Sequence, residues 1–506
     1  MSNNKRIAKN TIMLYFRMIL NMVVSIYTGR VVLQVLGVDD FGIYNIVGGV
    51  VVLFSFINNF LNTACERFIS VAIVGTDKTA PFKVFRTALF LHVIIALIFV
   101  LASETIGLWF VYNKLVIPAE RLTAALWLYH ICVLNTFLTI IKVPYNATII
   151  AEEKMDFYAY TSIGETIFRL LIVYLLTIIV FDKLIVYGLL HTLIALGMLL
   201  WYQVYSRKNF YYSAFSLRYD SEYIKKMTSF SGWNLFGSIA DLGYKQGTSI
   251  ILNLFCGVAL NAAMGLANTV RSTIFNFVSN FQVASNPQIL KQFALAEYSS
   301  YSNLVYRISK FSYILMLFLA LPAMINMDFI LNLWLDEVPA YTTSFVTWGL
   351  LYCLIDCLHG PLWTSMMATG KIRNYQVLVS CILLLNLPFS YIALDLGYPP
   401  ESIFIIQIII SAITILVRIF FSARYAHLTL SAYIRSVLLP LLFVTVLSCP
   451  LPYFVSTLYV DSFIKLLVTG LISVLSVSII SYPIGLTKSE RQLINSILIK
   501  KFTLRK

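Results

Sequence analysis

Apolar runs long enough to cross a membrane recur along almost the whole chain, and no other feature constrains its fold as strongly. A helix needs about 20 residues to span the hydrocarbon core of a bilayer. Runs of that length, separated by charged residues, prolines or glycines, predict about fourteen spans. They lie near 11–36, 41–70, 84–112, 121–149, 157–180, 184–205, 228–255, 258–290, 305–333, 341–369, 375–395, 401–424, 433–457 and 463–486.

The composition excludes a soluble protein. Of the 506 residues, 59% are apolar and only 12% are charged, whereas a soluble domain carries roughly 25% charged residues. So much apolar surface exceeds what a water-soluble monomer exposes, so lipid must be the solvent for most of it. The spans leave no room for a soluble catalytic domain. We therefore expect an all-α integral membrane protein that is not an enzyme.

The net charge of +14 lies mostly in alternate short loops between the spans. Lys and Arg are frequent near 1–10, 78–83, 207–226 and 371–373 and at the C-terminal end, whereas the intervening loops contain only Lys114, Arg121, Lys183 and Lys465. By the positive-inside rule, this asymmetry predicts that both termini are cytoplasmic. Charge placed in this way indicates topology and not a nucleic-acid partner.

Several spans contain ionisable side chains, which should face a cavity, a partner or water. A charge at the bilayer centre costs at least about 2.5–3.5 kcal/mol. Glu165 with Arg169, and Asp241 with Lys245, are acid–base pairs at i,i+4. Each pair fits either a structural ion pair along its helix or the lining of a polar cavity.

Arg271 has no acid three or four residues away, so it needs a partner from another helix or from a ligand. We favour a ligand cavity, with an ion pair to Asp241 or Asp356 as the structural alternative. The candidate substrate-binding residues are Arg17, Arg30, Arg67, Arg169, Lys245, Arg271 and Asn268, and the candidate coupling or structural acids are Glu165, Asp241 and Asp356.

The first apolar run raises a separate question, because it follows a basic segment as the core of a signal peptide would. Arg17 and Arg30 interrupt the run, and no small-residue cleavage site follows it. We therefore expect a retained first span and not a signal peptide.

Motifs for other chemistry are absent from the sequence. There is no G-x-x-x-x-G-K-[ST] phosphate-binding loop, and the five histidines are scattered one per segment without an H-E-x-x-H pattern. We therefore expect no ATP hydrolysis, no metal site and no cofactor. Movement of a substrate across a membrane is the function class that remains.

Several short stretches stand out in order along the chain. They are Leu36 to Asn45 with Ala64 to Arg67, Pro144 to Ala147 with Ile150 to Met155, Ala284 to Lys291, Leu333 to Leu335 with Val338 and Pro339, and Ala368 to Ile372. Together they resemble the polysaccharide-export flippases of the O-antigen flippase type, within the multidrug/oligosaccharidyl-lipid/polysaccharide (MOP) superfamily. The resemblance covers residues 1 to about 425, and the last two spans show no such motif.

The resemblance implies two six-helix lobes around a central cavity, two C-terminal accessory helices, and alternating access by rocking of the lobes. On this basis the N-terminal lobe is expected at 1–206, a cytoplasmic linker at 207–226, the C-terminal lobe at 227–426, and two accessory spans with a basic tail at 427–506.

The resemblance also implies a substrate, an undecaprenyl-pyrophosphate-linked oligosaccharide repeat unit for O-antigen, capsule or another surface polysaccharide. It would move from the cytoplasmic to the outer leaflet of a bacterial inner membrane. Arginine suits the pyrophosphate because a guanidinium is permanently charged and binds phosphate through two hydrogen bonds. The implied partners are this lipid-linked oligosaccharide, membrane lipids, and a polysaccharide polymerase with its chain-length machinery.

Three other functions fit a chain of this class. They are an ion-coupled multidrug antiporter of the same superfamily, a lipid II flippase for peptidoglycan, and a membrane-bound glycan-processing enzyme. An antiporter would normally have twelve spans and an acidic cavity, and such an enzyme would need a long outer loop. About fourteen spans, a basic interior and short outer loops favour the polysaccharide flippase.

The charge asymmetry makes the topology testable. A reporter fused after Asp336 should lie outside the cytoplasm, and one fused after Lys371 should lie inside, because the intervening span reverses the orientation. Paired alkaline phosphatase and fluorescent-protein fusions measure this. The opposite pattern would contradict the assigned orientation.

Overall fold

A computed structural model describes residues 11–22, 24, 28, 31–32, 35–36, 40, 43–44, 47, 57–114, 119–335, 338–460, 462–492 and 495. Within these ranges it describes all side chains except those at 57–61, 114 and 119 and at several positions of 239–262. Arg30 lies outside the described residues, as do most residues of the first predicted span and many of the second.

Every regular element in the described part of the chain is helical. The helices are α1 (Thr11–Met22), α2 (Ile57–Val74), α3 (Ala80–Ala102), α4 (Leu108–Lys114), α5 (Leu122–Ala151), α6 (Met155–Ile178), α7 (Lys183–Asn209), α8 (Ser221–Ala294), α9 (Tyr298–Ile325), α10 (Met327–Trp334), α11 (Thr342–Asp356), α12 (His359–Thr369), α13 (Arg373–Leu384), α14 (Asn386–Asp395), α15 (Ser402–Tyr425), α16 (Leu430–Tyr433), α17 (Leu439–Ser448), α18 (Pro450–Ser456) and α19 (Phe463–Ile480).

Among the described residues, ten helical segments are long and apolar enough to cross a membrane. They are Ala80–Asn113, Leu122–Ala151, Met155–Ile178, Lys183–Asn209, Tyr298–Ile325, Thr342–Thr369, Arg373–Asp395, Ser402–Tyr425, Leu430–Ser456 and Phe463–Gly485. Each corresponds to one predicted span, so the all-α membrane class is confirmed. The first, second, seventh and eighth predicted spans have no counterpart among these segments, and the count of about fourteen stays a prediction.

The seventh and eighth predicted spans were expected to be separate helices, at 228–255 and 258–290. Instead, α8 continues through both of them, from Ser221 to Ala294. A lone glycine such as Gly257 weakens a helix without ending it, because the backbone hydrogen bonds can continue past it. A straight helix of 74 residues would measure about 110 Å, several times the thickness of a bilayer core. The number of helices therefore does not give the number of crossings here.

The chain divides into two compact units, Met1–Leu235 and Phe236–Lys506. In the N-terminal unit, α5 packs against α2, α3 and α7. Gly188 of α7 permits the close approach of α7 to α5, because a Cβ there would lie 2.8 Å from a methyl carbon of Leu128. Aromatic side chains fill the interior, and the rings of Phe85 and Tyr145 meet edge to face at 5.3 Å.

In the C-terminal unit, α9, α11, α12 and α15 form the packed centre. The side chain of Gln282 is buried against Gly360, where no Cβ could be accommodated. Its Nε2 donates to Ser312 Oγ at 3.0 Å and to the backbone oxygen of Cys357 at 2.7 Å. The amide nitrogen of Gln282 is therefore satisfied by two other helical segments, as a buried polar group in a membrane requires.

Arg121 connects three segments at one end of the N-terminal unit. Its Nη2 lies 2.5 Å from Asp40 Oδ2, and its Nη1 lies 2.6 Å from Asp182 Oδ2. Asp182 is also the N-cap of α7, where Oδ1 accepts hydrogen bonds from the amides of Leu184 and Ile185. Partial burial raises the pKa of the Asp182 carboxyl, but the hydrogen bonds from Arg121 and from these amides outweigh it, so the pKa lies below its ordinary value.

Replacing Arg121 should therefore destabilise the N-terminal unit. Arg121→Gln leaves two partly buried carboxylates without their cation, which should lower the free energy of unfolding by about 1–3 kcal/mol. Thermal unfolding of the purified protein in detergent measures this. Lys183→Gln, a neighbouring change at a side chain with no recorded hydrogen bond or ion pair among the described residues, should leave the melting temperature within about a degree, as surface substitutions usually do.

The effect of Arg121→Gln should also depend on pH. The folded pKa of Asp182 is lower than its unfolded value of about 3.9, so the stabilisation is complete above that value and is lost as the pH falls through the folded pKa. The difference between wild type and Arg121→Gln should therefore be constant near pH 7 and shrink below about pH 4. A difference that stays constant down to pH 3 would show that Asp182 is not the group stabilised by Arg121.

Candidate functional site

A pocket of about 400 Å³ lies within the C-terminal unit. Of the eight lining residues that the structure describes, seven come from α8 and one, Gln407, comes from α15. The lining residues are Thr248, Ser249, Met264, Asn268, Thr269, Arg271, Ser272 and Gln407. Met264, Asn268 and Arg271 share one face of α8 because they are four and then three residues apart. The lining is polar with one cation, and none of these residues is acidic.

Arg271 is the only charged residue among the described side chains that line this pocket. Its guanidinium carbon lies 5.4 Å from the centre of the Tyr352 ring on α11, and its Cδ would lie 3.4 Å from a Cβ built on Gly349. Among the residues that the structure describes, its guanidinium has no ion pair and no hydrogen bond. The pocket therefore contains a permanent positive charge that forms no ion pair with a described carboxylate.

The ring beside Arg271 belongs to a small polar group. The hydroxyl of Tyr352 donates to Asp356 Oδ1 at 3.2 Å, at the end of α11. Tyr352 also shares a hydrogen bond with the hydroxyl of Tyr244, and the charges of Asp356 and Arg271 act on both tyrosines. Asp356 is therefore near Arg271 without forming an ion pair with it. The predicted alternative of a pair between Arg271 and Asp241 or Asp356 does not describe this structure.

Two amide side chains complete the pocket. Gln407 is only 4% exposed, and its Oε1 is buried without a hydrogen-bond partner. Neither Gln407 nor Asn268 makes a hydrogen bond within the described part of the chain. Unpaired amides beside an unpaired guanidinium indicate a binding site, because such groups are costly to bury unless a ligand or water meets them.

A second polar region lies in the N-terminal unit along one face of α6. Arg169 forms an ion pair with Glu165, with 2.6 Å between Nη2 and Oε1. This is one of the two arrangements that their i,i+4 spacing predicts. Arg169 nevertheless remains 54% exposed, and in the middle of a span that exposure requires water and not lipid. On the same face, Ser162 accepts a hydrogen bond from Asn21 Nδ2 at 3.0 Å, and Thr166 donates to Asn21 Oδ1 at 2.7 Å.

Two further cations lie near this region. The guanidinium of Arg17 stands 4.6 Å from the ring of Tyr158, and Lys142 Nζ stands 5.5 Å from the ring of Tyr202. The charges of Glu165 and Arg169 both act on Lys142. Among the described side chains, Arg17, Lys142 and Arg169 therefore place three cations near Glu165.

The remaining candidates are placed elsewhere or not described. Arg67 lies on α2 between the rings of Phe68 and Phe230, at 4.6 and 4.9 Å. Asp241 lies on α8, where its charge acts on Tyr244. Lys245 is on the same helix, but its side chain lies outside the described residues. In the described ranges, no group of three His, Cys, Asp or Glu side chains could hold a metal ion.

Gln407 is not among the site residues predicted from the sequence. Its signal was present, because a single amide interrupts the apolar run from Ile403 to Ile410. Lys142 was also missing from the candidates, although it is a cation within a span. Both omissions have one cause. The exposed or buried state of a polar side chain depends on neighbouring helices and not on its own segment.

The described fold is shared with solved membrane transporters. An outward-facing multidrug resistance MATE family transporter of the MOP superfamily matches with a TM-score of 0.71 at 11% identity, covering 84% of this chain and 96% of that chain. A MOP superfamily transporter from Pyrococcus furiosus matches with a TM-score of 0.70 at 11% identity over the same shares. A MATE in the straight conformation matches with a TM-score of 0.69 at 12% identity, covering 83% and 96%.

No protein-family model matches the chain, and no curated protein does. Identities of 11–12% with the solved structures establish the fold and leave the substrate open. The chain has the multi-pass membrane transporter fold of MATE proteins in the MOP superfamily.

If the pocket is open to water, cysteines placed in it should react with a membrane-impermeant thiol reagent, because the reactive thiolate forms in water and not in lipid. In a background without the seven native cysteines, Thr269→Cys should be labelled. Ile409→Cys, at an apolar position of α15 that is 53% exposed, should not be labelled. Gel-shift labelling of membranes opened on both sides measures this, and equal labelling at both positions would contradict a water-filled pocket.

Proposed function

We propose that this protein is a flippase for polyprenyl-pyrophosphate-linked oligosaccharide repeat units of a surface polysaccharide. The observation that carries the proposal is Arg271, a guanidinium without an ion pair among the described residues. The other described side chains of the pocket carry hydroxyl or amide groups, apart from Met264. A pyrophosphate crossing a low-dielectric region needs such a charge to offset its lost hydration. Amides and hydroxyls suit the sugars attached to it.

The proposed process is alternating access, which carries the head group from the cytoplasmic to the outer leaflet of a bacterial inner membrane while the prenyl chain stays in lipid. The positive-inside asymmetry of the sequence supports cytoplasmic termini. In this setting the partners are the lipid-linked oligosaccharide, the surrounding lipids, and a polysaccharide polymerase with its chain-length machinery.

The polarity of the binding pocket is also the feature that argues against the multidrug alternative. One structural neighbour is described as a multidrug resistance transporter, and another as having a binding pocket of reverse polarity that suggests a different function. A cationic drug would meet like charge at Arg271, and none of the described lining residues is an acid that would compensate. The pocket described here therefore favours an anionic ligand over a cationic one.

Deletion and complementation test the proposal. A deletion strain should lose a surface polysaccharide and accumulate lipid-linked repeat units on the cytoplasmic leaflet, and the wild-type gene should reverse both effects. Glycan staining measures the surface polysaccharide, and extraction of the lipid-linked intermediate measures its accumulation. Persistent surface glycan in a strain without a second flippase, or a change in drug sensitivity alone, would refute the flippase function.

Charge variants of Arg271 test the role of the pocket. Arg271→Lys should keep part of the transport, because it retains the charge and loses the bidentate geometry; a lost charge-assisted hydrogen bond, worth about 1.5–3 kcal/mol, predicts roughly a 10- to 100-fold decrease. Arg271→Glu should abolish transport at a normal protein level. Arg435→Glu makes the same charge change at an exposed position outside the pocket and should remain active. Normal transport by a stably expressed Arg271→Glu variant would refute the role of Arg271.

A further inference from the structure

The pocket in the C-terminal unit has features that a phosphate alone does not explain. A phosphate needs hydrogen-bond donors, and Arg271 supplies up to five of them. The hydroxyls of Thr269 and Ser272, however, donate to the backbone oxygens of Gly265 and Thr269, both at 3.0 Å. Their protons are therefore engaged, and toward the pocket these oxygens can only accept. A ligand that bonds these two oxygens must therefore bring donors of its own.

Gln407 also needs hydrogen-bond partners from the ligand. Neither end of its amide is paired among the described residues, although the side chain is 4% exposed. An unpaired buried amide destabilises the protein, whereas leucine at this position of an apolar helix would not. An amide needs both a donor and an acceptor from its partner. Hydroxyl and acetamido groups of a sugar provide both, while a phosphate oxygen provides an acceptor alone.

We propose that this pocket binds the sugar attached to the phosphate, with Arg271 on the phosphate and Gln407 and Asn268 on hydroxyl or acetamido groups of the sugar ring. The proposal rests on the proposed function and adds to it the residues that select the sugar. The volume of about 400 Å³ lies in the range of small-molecule sites. It suits a single sugar phosphate, so the rest of the oligosaccharide lies outside the pocket.

A glycerophosphate head group of a membrane lipid also joins hydroxyls to a phosphate, so the test must separate these two sources. Binding of four soluble probes to the purified full-length protein can be measured by calorimetry in a lipid-free detergent. The probes are N-acetylglucosamine 1-phosphate, glucose 1-phosphate, glycerol 3-phosphate and inorganic phosphate. At least one sugar phosphate should bind about tenfold or more tightly than inorganic phosphate, since one added hydrogen bond contributes about 0.5–1.5 kcal/mol and several form.

Variants identify the residues responsible. Gln407→Leu should remove the preference for the sugar phosphate while phosphate binding stays. Arg271→Gln should weaken both. Thr414→Val, on the same helix as Gln407 but outside the pocket lining, with its hydroxyl bonded to its own backbone at Ile410, should change neither affinity.

The melting temperature separates binding from structure. If Gln407 serves a ligand, Gln407→Leu removes an unpaired buried amide, and the free protein should be at least as stable as wild type. If Gln407 is structural, the variant should be less stable, and a lower melting temperature would contradict the proposal.

Three binding results would overturn the inference. The first is a sugar phosphate that binds no more tightly than inorganic phosphate. The second is a preference that survives Gln407→Leu. The third is glycerol 3-phosphate bound as tightly as either sugar phosphate, which would assign the pocket to a lipid head group. These outcomes are independent of the deletion phenotype, so the sugar pocket can fail while the flippase function stands, and the reverse is also possible.

Discussion

The lack of water in the hydrocarbon core is the constraint on which the rest of this structure depends. Each polar group that enters a span must find a partner within the protein, a water-filled cavity or a ligand. Most of the described polar groups find protein partners. Gln282 bonds Ser312 and a backbone oxygen, and Asn386 bonds Thr248 at 2.9 Å. Polar side chains without a hydrogen-bond partner in the protein therefore indicate where water or a ligand binds.

Buried charges in the C-terminal unit show the same rule in two forms. Lys310, 1% exposed on α9, is paired with Glu490 at 2.5 Å. Glu490 also accepts a hydrogen bond from the backbone amide of Thr487 at 2.7 Å. Its carboxylate is therefore stabilised both by Lys310 and by an amide at the start of a helix. Arg418 is buried beside the rings of Tyr375 and Trp363, and its guanidinium donates a hydrogen bond to the phenol oxygen of Tyr375. Arg271, by contrast, meets a ring on one side and an open pocket on the other.

The positions of most spans could be predicted because hydropathy is a local property. Residues 373–395 read as a span from their own composition, and the structure places α13 and α14 there. The predicted span 341–369 also ends where the helix ends. Gly370 follows it with φ of 70°, a left-handed conformation that favours glycine and stops a helix. The break expected in α8 was not found, because a continuous helix and two helices with a short turn differ little in local sequence.

The pairing of charges was predictable only when it was local. Glu165 and Arg169 are four residues apart on one helix, so their ion pair follows from the spacing. Lys310 and Glu490 are 180 residues apart, and nothing in either segment indicates that they meet. The same limit applied to Arg271, whose lack of an ion pair depends on which residues of α11 and α15 lie beside it.

The sequence by itself determined that lipid surrounds much of this protein, that the chain is helical, and where most of the segments that can cross a membrane lie. These follow from composition and spacing along the chain, because transfer free energy and helical periodicity are properties of single segments. Only the tertiary structure decided which polar groups remain unpaired, and hence that Arg271, Asn268 and Gln407 share one pocket. That arrangement depends on side chains of α8 and α15 that are more than a hundred residues apart, and packing between helices, not local sequence, brings them together.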